Sequence, residues 1–283
     1  MSEQNLGAIG NSRTAEQLAH MKATVGQGKC GFCEIDRTIN PVDLAENEHW
    51  RIFENAWPYP GHAFHLVAPA KTHWTNLADI TDQGIGEALQ LISAMSEKHR
   101  MSGGAIVLRF GDFIHHAGTL KHLHFQVQVP NELRQSFVTI GRPNAMQIDE
   151  AVAMLTGELT HTSNLIEIKR GEHWYITRDQ NKRRHVLEQF RIQSHDFLCL
   201  PDFARLSYVH VEFLRLLKDL ESKYKLPGAA LVLQFGTTGI LNKKRPLLAD
   251  VIVASGTGPV FEILHPAANR LQAMRSMDTL VKK

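Results

Sequence analysis

Three cysteines in 283 residues are too few for a disulfide framework. Two of them stand as Cys30-Gly31-Phe32-Cys33, a spacing that fits a metal site or a turn in a reducing compartment. No apolar run approaches the ~20 residues that a membrane-crossing helix needs, so no membrane association is expected. Charge of one sign is equally scarce. With 31 basic and 29 acidic residues the net charge is +2, which leaves no broad basic field for nucleic acid or anionic lipid. The first 29 residues are polar and lack the apolar segment of an export signal, so the cytoplasm is the expected compartment. Length alone allows one large domain or two of about 100–150 residues, each able to bury a core.

Against that background one segment is distinctive: Lys121-His122-Leu123-His124-Phe125-Gln126-Val127-Gln128-Val129-Pro130. Side chains alternate across a strand, so His122, His124, Gln126 and Gln128 share one face and Leu123, Phe125, Val127 and Val129 the other. The apolar face reads as core. Two imidazoles and two amides in register call for partners or a ligand, because leaving such groups buried and unmet costs about 1–3 kcal/mol each. Just upstream, Ala117-Gly118-Thr119 predicts a flexible turn offering backbone N–H groups and a hydroxyl, a combination suited to an anionic ligand.

The chain also reads as though built twice. Gly103-Gly104-Ala105-Ile106-Val107-Leu108-Arg109-Phe110-Gly111 is echoed 125 residues on by Gly228-Ala229-Ala230-Leu231-Val232-Leu233-Gln234-Phe235-Gly236. Glu48-His49-Trp50 is echoed by Glu172-His173-Trp174. Carrying the same offset through the polar stripe reaches Leu247, Ala249 and Val251, so the second copy has lost its histidines. Helix-like spacing precedes the paired strands in both copies, through Ile85, Leu89, Ile92 and Met95, and through Phe213, Leu214, Leu217 and Leu220. The predicted fold class is α+β, two tandem units, each an antiparallel sheet with a covering helix. Residues 1–29 are expected to be an N-terminal extension with a short helix near Thr14–Ala23. The two units are expected over 30–135 and 161–283, joined by a linker at 136–160 with a helix over Ile148–Leu155, and 264–283 reads as a terminal helix.

Ala117-Gly118-Thr119-Leu120-Lys121-His122-Leu123-His124-Phe125-Gln126 resembles the signature of the histidine-triad superfamily. Cys30-Gly31-Phe32-Cys33-Glu34-Ile35, Glu54-Asn55-Ala56-Trp57-Pro58-Tyr59-Pro60-Gly61-His62 and Leu66-Val67-Ala68-Pro69 match its N-terminal half. Glutamine at the third triad position resembles the branch that holds galactose-1-phosphate uridylyltransferase and the diadenosine tetraphosphate and GDP-sugar phosphorylases. That resemblance implies two fused histidine-triad-like modules, the second degenerate. It also implies a nucleotidyltransferase that passes a nucleoside monophosphate through a covalent histidine intermediate.

The resemblance makes His124 the nucleophile, with His122 and Gln126 completing the catalytic set. Gln126 can donate to a phosphate oxygen but does not titrate, which fits transfer to phosphate better than hydrolysis. Gly118 and Thr119 are expected phosphate contacts, Lys121 either a contact or a solvent-facing charge. Asn55 is expected near the ribose or in a turn, and His62, in preference to His65, near the phosphates. A structural zinc site of Cys30, Cys33, His73 and His122 is implied, alongside the plain reading of two reduced thiols in a turn. Implied partners are a dinucleoside polyphosphate or nucleoside diphosphate sugar and a phosphate or sugar-phosphate acceptor, with homodimerisation open. A hydrolase of the same fold and a catalytically silent nucleotide-binding protein are the competing readings.

Overall fold

The alternation that runs through Leu123, Phe125, Val127 and Val129 becomes, in the computed structural model, the inner face of a broad sheet. The structure describes residues 6–12, 14–59, 61–101, 103–130, 137–141, 162–195, 199–238, 243–244, 247–258 and 260–263. Strands β1 (Ala45–Glu46), β2 (Arg51–Glu54), β3 (His62–Pro69), β4 (Gly103–Gly111), β5 (His124–Pro130) and β6 (Phe137–Thr139) come from the first half. The second half supplies β7 (Leu165–Arg170), β8 (Trp174–Asp179), β9 (Val186–Ser194), β10 (Gly228–Thr238), β11 (Lys243–Lys244), β12 (Leu248–Ala254) and β13 (Phe261–Ile263). Four α-helices accompany them among the described residues: α1 (Ala15–Val25), α2 (Asp82–Lys98), α3 (Leu200–Arg205) and α4 (Ser207–Tyr224).

Eleven of these strands form one antiparallel sheet in the order β1-β2-β3-β5-β4-β10-β12-β9-β8-β7, with β11 paired to β10. Strands β6 and β13 make a separate two-stranded ladder. The two halves of the chain therefore share a single sheet, joined where Gly103–Gly111 pairs with Gly228–Gly236. At the centre of that seam Val107 lies opposite Val232, its own counterpart in the sequence echo.

Helix α2 starts at Thr81, whose hydroxyl accepts the Gly84 N–H, and buries Ile85, Leu89, Ile92 and Met95 at the expected spacing. Helix α4 buries Phe213, Leu214, Leu217 and Leu220. Both cover the same face of the sheet and share one core with Trp50, Phe125, Phe190 and Leu231. Each such fully buried side chain contributes about 1.5–3 kcal/mol. Trp50 donates its indole N–H to the Gly84 carbonyl at 2.7 Å, and Trp174 donates to the Val209 carbonyl at 3.0 Å. Trp50, just before β2, and Trp174, the first residue of β8, thus each tie the edge of a strand to the first turn of a covering helix. No helix among the described residues is long and apolar enough to cross a membrane.

The register corrects two expectations. Strand β5 begins at His124, not Lys121, because Lys121 and Leu123 spend their N–H groups on the carbonyls of Leu6 and Trp74. Val107 faces Gln126, whereas its counterpart Val232 faces Asp250. One residue fewer separates β10 from β12, so Leu248 and Asp250, not Ala249 and Val251, take the places of His124 and Gln126. The expected linker helix at Ile148–Leu155 and terminal helix at 264–283 lie outside the described residues.

Candidate active site

All seven residues of β5 are buried, although three of them, His124, Gln126 and Gln128, are polar. The strand runs between β3 and β4, with Val67 and Val107 flanking Gln126, and His65 and Ala105 flanking Gln128. This face is turned away from α2 and α4. His124 Nδ1 lies 2.7 Å from the carbonyl oxygen of His122. A carbonyl only accepts, so Nδ1 carries the proton and Nε2 is the lone-pair nitrogen. The amide nitrogen of Gln126 stands 3.3 Å from that Nε2. Gln128 in turn donates to Gln126 Oε1 at 3.0 Å.

His124 and Gln126 line a cavity of about 70 Å³ together with Phe32, Asn55, Trp57 and Thr119. The N-terminal extension forms much of its wall, which sequence reasoning missed. Gly7 bridges Leu120, the Ala8 N–H donates to the Thr119 carbonyl at 2.9 Å, and the Asn11 amide donates to the Gly118 carbonyl at 2.7 Å. This strap carries α1 over the site, where Gln17, His20, Met21 and Thr24 line the cavity and the His20 ring lies 5.3 Å from that of Trp57. Thr14 caps α1 by accepting the Gln17 N–H. The only local signal of the helix is that cap; nothing in the sequence says where the helix docks.

The turn before the stripe is less open than expected. The Gly118 N–H donates to His116 Nδ1 at 3.0 Å, and a Cβ at Gly118 would stand 2.8 Å from the His116 ring. His116 Nε2 then faces the Gly111 carbonyl at 3.4 Å. Burial, reinforced by the Arg109 charge, pushes the His116 pKa down to about 3, so this imidazole is neutral at neutral pH. Thr119 remains on the cavity wall, and Lys121 is exposed.

Cys30, Cys33, His73 and His122 come together with their ligand atoms all within 4.8 Å of one another. Cys30 Sγ is 3.3 Å and Cys33 Sγ 3.5 Å from His122 Nδ1, and Cys33 Sγ is 3.2 Å from His73 Nδ1. A tetrahedral ion with ordinary metal–sulfur and metal–nitrogen bonds would hold such atoms about 3.5 Å apart, so the donor set fits one. His122 Nε2 donates to the Ala70 carbonyl at 2.8 Å, which leaves Nδ1 as the ligating atom. Without a cation, burial and the neighbouring Cys30 push the Cys33 thiol up to about 12, and burial takes His122 down to about 4. From the same loop Phe32 places its ring 4.8 Å from that of His124.

The register brings both His62 and His65 to the face of the polar stripe, with their rings 5.6 Å apart, where alternation alone would admit only one of them. A bulge between His62 and Phe64 puts His62 opposite Pro130, while His65 lies opposite Gln128, and neither histidine lines the cavity. His62 Nδ1 instead donates to the Tyr59 carbonyl at 3.1 Å. Buried His65 sits 3.1 Å from the Asn55 amide nitrogen, while Asn55 Oδ1 accepts the Trp57 N–H at 2.9 Å. Asn55 is therefore both a turn residue and part of the wall.

No protein-family model and no curated protein matches the sequence. Solved structures do. An ADP-glucose phosphorylase from Arabidopsis thaliana, with ADP-glucose bound, aligns with a TM-score of 0.52 and 16% identity over 81% of this chain and 82% of its own. A GalT-like protein from the same plant aligns with a TM-score of 0.50 and 17% identity over 81% and 83%. Identities this low speak for architecture alone, and on that evidence this chain shares the α+β fold of those two proteins.

Proposed function

We propose that this chain is a nucleotidyltransferase of the phosphorylase type. It moves a nucleoside monophosphate from a dinucleoside polyphosphate or nucleoside diphosphate sugar to phosphate or a sugar phosphate, through nucleotidyl-His124. The observation that carries this reading is the tautomer of His124, whose Nδ1 proton is held by the His122 carbonyl at 2.7 Å so that Nε2 is the nucleophilic atom on the cavity wall. ADP-glucose, bound in the structurally similar phosphorylase, is a nucleoside diphosphate sugar.

In the first step the Nε2 lone pair attacks the α-phosphorus. The N–P bond forms as the P–O bond to the departing nucleoside polyphosphate or sugar phosphate breaks, with its electron pair leaving on that oxygen. The imidazole gains one positive charge, which the His122 carbonyl stabilises through the Nδ1 proton. In the second step an oxygen of the incoming phosphate attacks the same phosphorus and the N–P pair returns to Nε2. Neither step requires a proton to move, because leaving and attacking groups are both phosphate oxygens. A non-titrating amide at Gln126 is then sufficient, donating to a phosphoryl oxygen. Hydrolysis would need a base for water, which Gln126 does not supply.

Cys30, Cys33, His73 and His122 would hold a zinc ion with every position occupied by protein, so its chemistry is structural. It would fix the loop that presents Phe32 and the residue whose carbonyl anchors His124. The pairing of Val107 with Val232 supports the proposal that residues 30–135 and 161–283 derive from one duplicated module, with chemistry kept only in the first.

Isotope exchange tests the covalent step. With ADP-, GDP- or UDP-sugar as donor and its labelled sugar 1-phosphate as the sole other reactant, label should enter the donor without any second acceptor. Phosphorolysis without such exchange would sink the intermediate.

A further inference from the structure

The geometry points to Gln128 as a positioning residue that fixes which end of the Gln126 amide meets the nucleophile; the inference rests on the reading of His124 as that nucleophile. An amide side chain has a donating and an accepting end of nearly equal size, and rotation by half a turn exchanges them. Here the exchange is blocked from both sides. The His122 carbonyl forces the proton onto His124 Nδ1, so Nε2 can only accept and Gln126 must present its NH₂ group at 3.3 Å. Gln126 Oε1 is thereby turned towards Gln128, whose own NH₂ group meets it at 3.0 Å. The relay has one polarity, running from Gln128 through Gln126 and His124 to a main-chain acceptor.

Gln128 itself gains little from the arrangement. The residue is fully buried, and its Oε1 has no hydrogen-bond partner among the described residues. Its cross-strand neighbour Ala105 belongs to an apolar cluster with Val107, Val138 and Ile140. A side chain placed for stability alone would be apolar here, because a buried acceptor left unmet is destabilising. Its one polar side-chain contact among the described residues orients Gln126, and Gln126 alone of the two lines the cavity. Without that contact the Gln126 carbonyl can rotate towards the cavity, where it would repel a phosphoryl oxygen and no longer donate to one.

The test uses Gln128→Met, which keeps length and volume and removes both amide ends, with Gln128→Leu as a second variant should the first not fold. In the full-length protein Gln128→Met should slow nucleotidylation of His124 about tenfold or more, leave the KM for the donor within about twofold, and leave the melting temperature equal or higher. In a Gln126→Ala background the same change should have no further effect, since Gln128 has then nothing to orient. An independent readout comes from ¹⁵N NMR of the free protein: Gln128→Met should move the Nε2 resonance of His124 in the same direction as Gln126→Ala does. An undiminished effect in the Gln126→Ala background, or an unmoved Nε2 resonance, overturns the inference. If wild-type protein forms no nucleotidyl adduct with any donor, the transferase reading fails, while the resonance still decides the role of Gln128.

Discussion

The proton on His124 Nδ1 is held at 2.7 Å by the carbonyl of His122, two residues back on the same chain. A backbone acceptor fixes the tautomer without adding a second titratable group to the site. His124→Gly should therefore lower transfer by about three orders of magnitude or more, with folding unchanged by circular dichroism. Gln126→Ala, which loses a single donor, should cost about a hundredfold. Gln126→His should instead raise the share of intermediate lost to water, read as the ratio of free monophosphate to transfer product.

Cys30 Sγ and His122 Nδ1, 3.3 Å apart, join the N-terminal loop to the catalytic strand. Elemental analysis of purified protein should find one zinc per chain. Cys30→Ser and His73→Ala should each lower that content and destabilise the protein by several kcal/mol, because metal binding and folding are coupled. Protein that keeps full stability and no metal after purification without chelator would contradict the assignment.

His116 supplies a pH dependence. Its folded-state pKa is depressed to about 3, below the unfolded value near 6.5, so the unfolded chain binds the extra proton first. Stability is fully present above about pH 6.5 and is lost as pH falls towards 3, amounting to roughly 4 kcal/mol at the lower end. Denaturant midpoints measured across that range should show this slope, and His116→Asn should flatten it. A slope identical in the variant would assign the loss to other groups.

Asn11 reaches from the N-terminal strap to the Gly118 carbonyl at 2.7 Å, and its side chain is buried. Asn11→Leu leaves that carbonyl unmet and should cost about 1–2 kcal/mol. Because α1 walls the cavity, the same change should raise the donor KM several-fold while kcat falls less. An unchanged KM would show that α1 does not contribute to substrate binding.

Much of this was legible in the sequence where the information is local. Alternation placed His124, Gln126 and Gln128 on one strand face; helical spacing found the buried faces of α2 and α4; the Cys-x-x-Cys and two matching histidines came together with their ligand atoms within 4.8 Å of one another. What failed depended on pairing between distant segments. The β3 bulge that brings His62 and His65 to one face and the one-residue shift that brings Asp250 to the place of Gln126 are register effects, and neither leaves a compositional trace. Asp250 shows why the shift is tolerated: buried, it pairs through both oxygens with Arg191 of β9, so the polar position is satisfied without a ligand. The Gly118 amide is already bound to His116, and the strap that pairs with Leu120 comes from more than 100 residues away.

The most direct test of the central claim is intact mass after brief incubation with each of several nucleotide donors, quenched at alkaline pH to preserve a phosphoramidate. The account expects a gain of one nucleoside monophosphate on the wild-type chain, none on His124→Gly, and peptide mapping that places the group on His124. Turnover without any such gain, or an adduct that persists in His124→Gly, would contradict it.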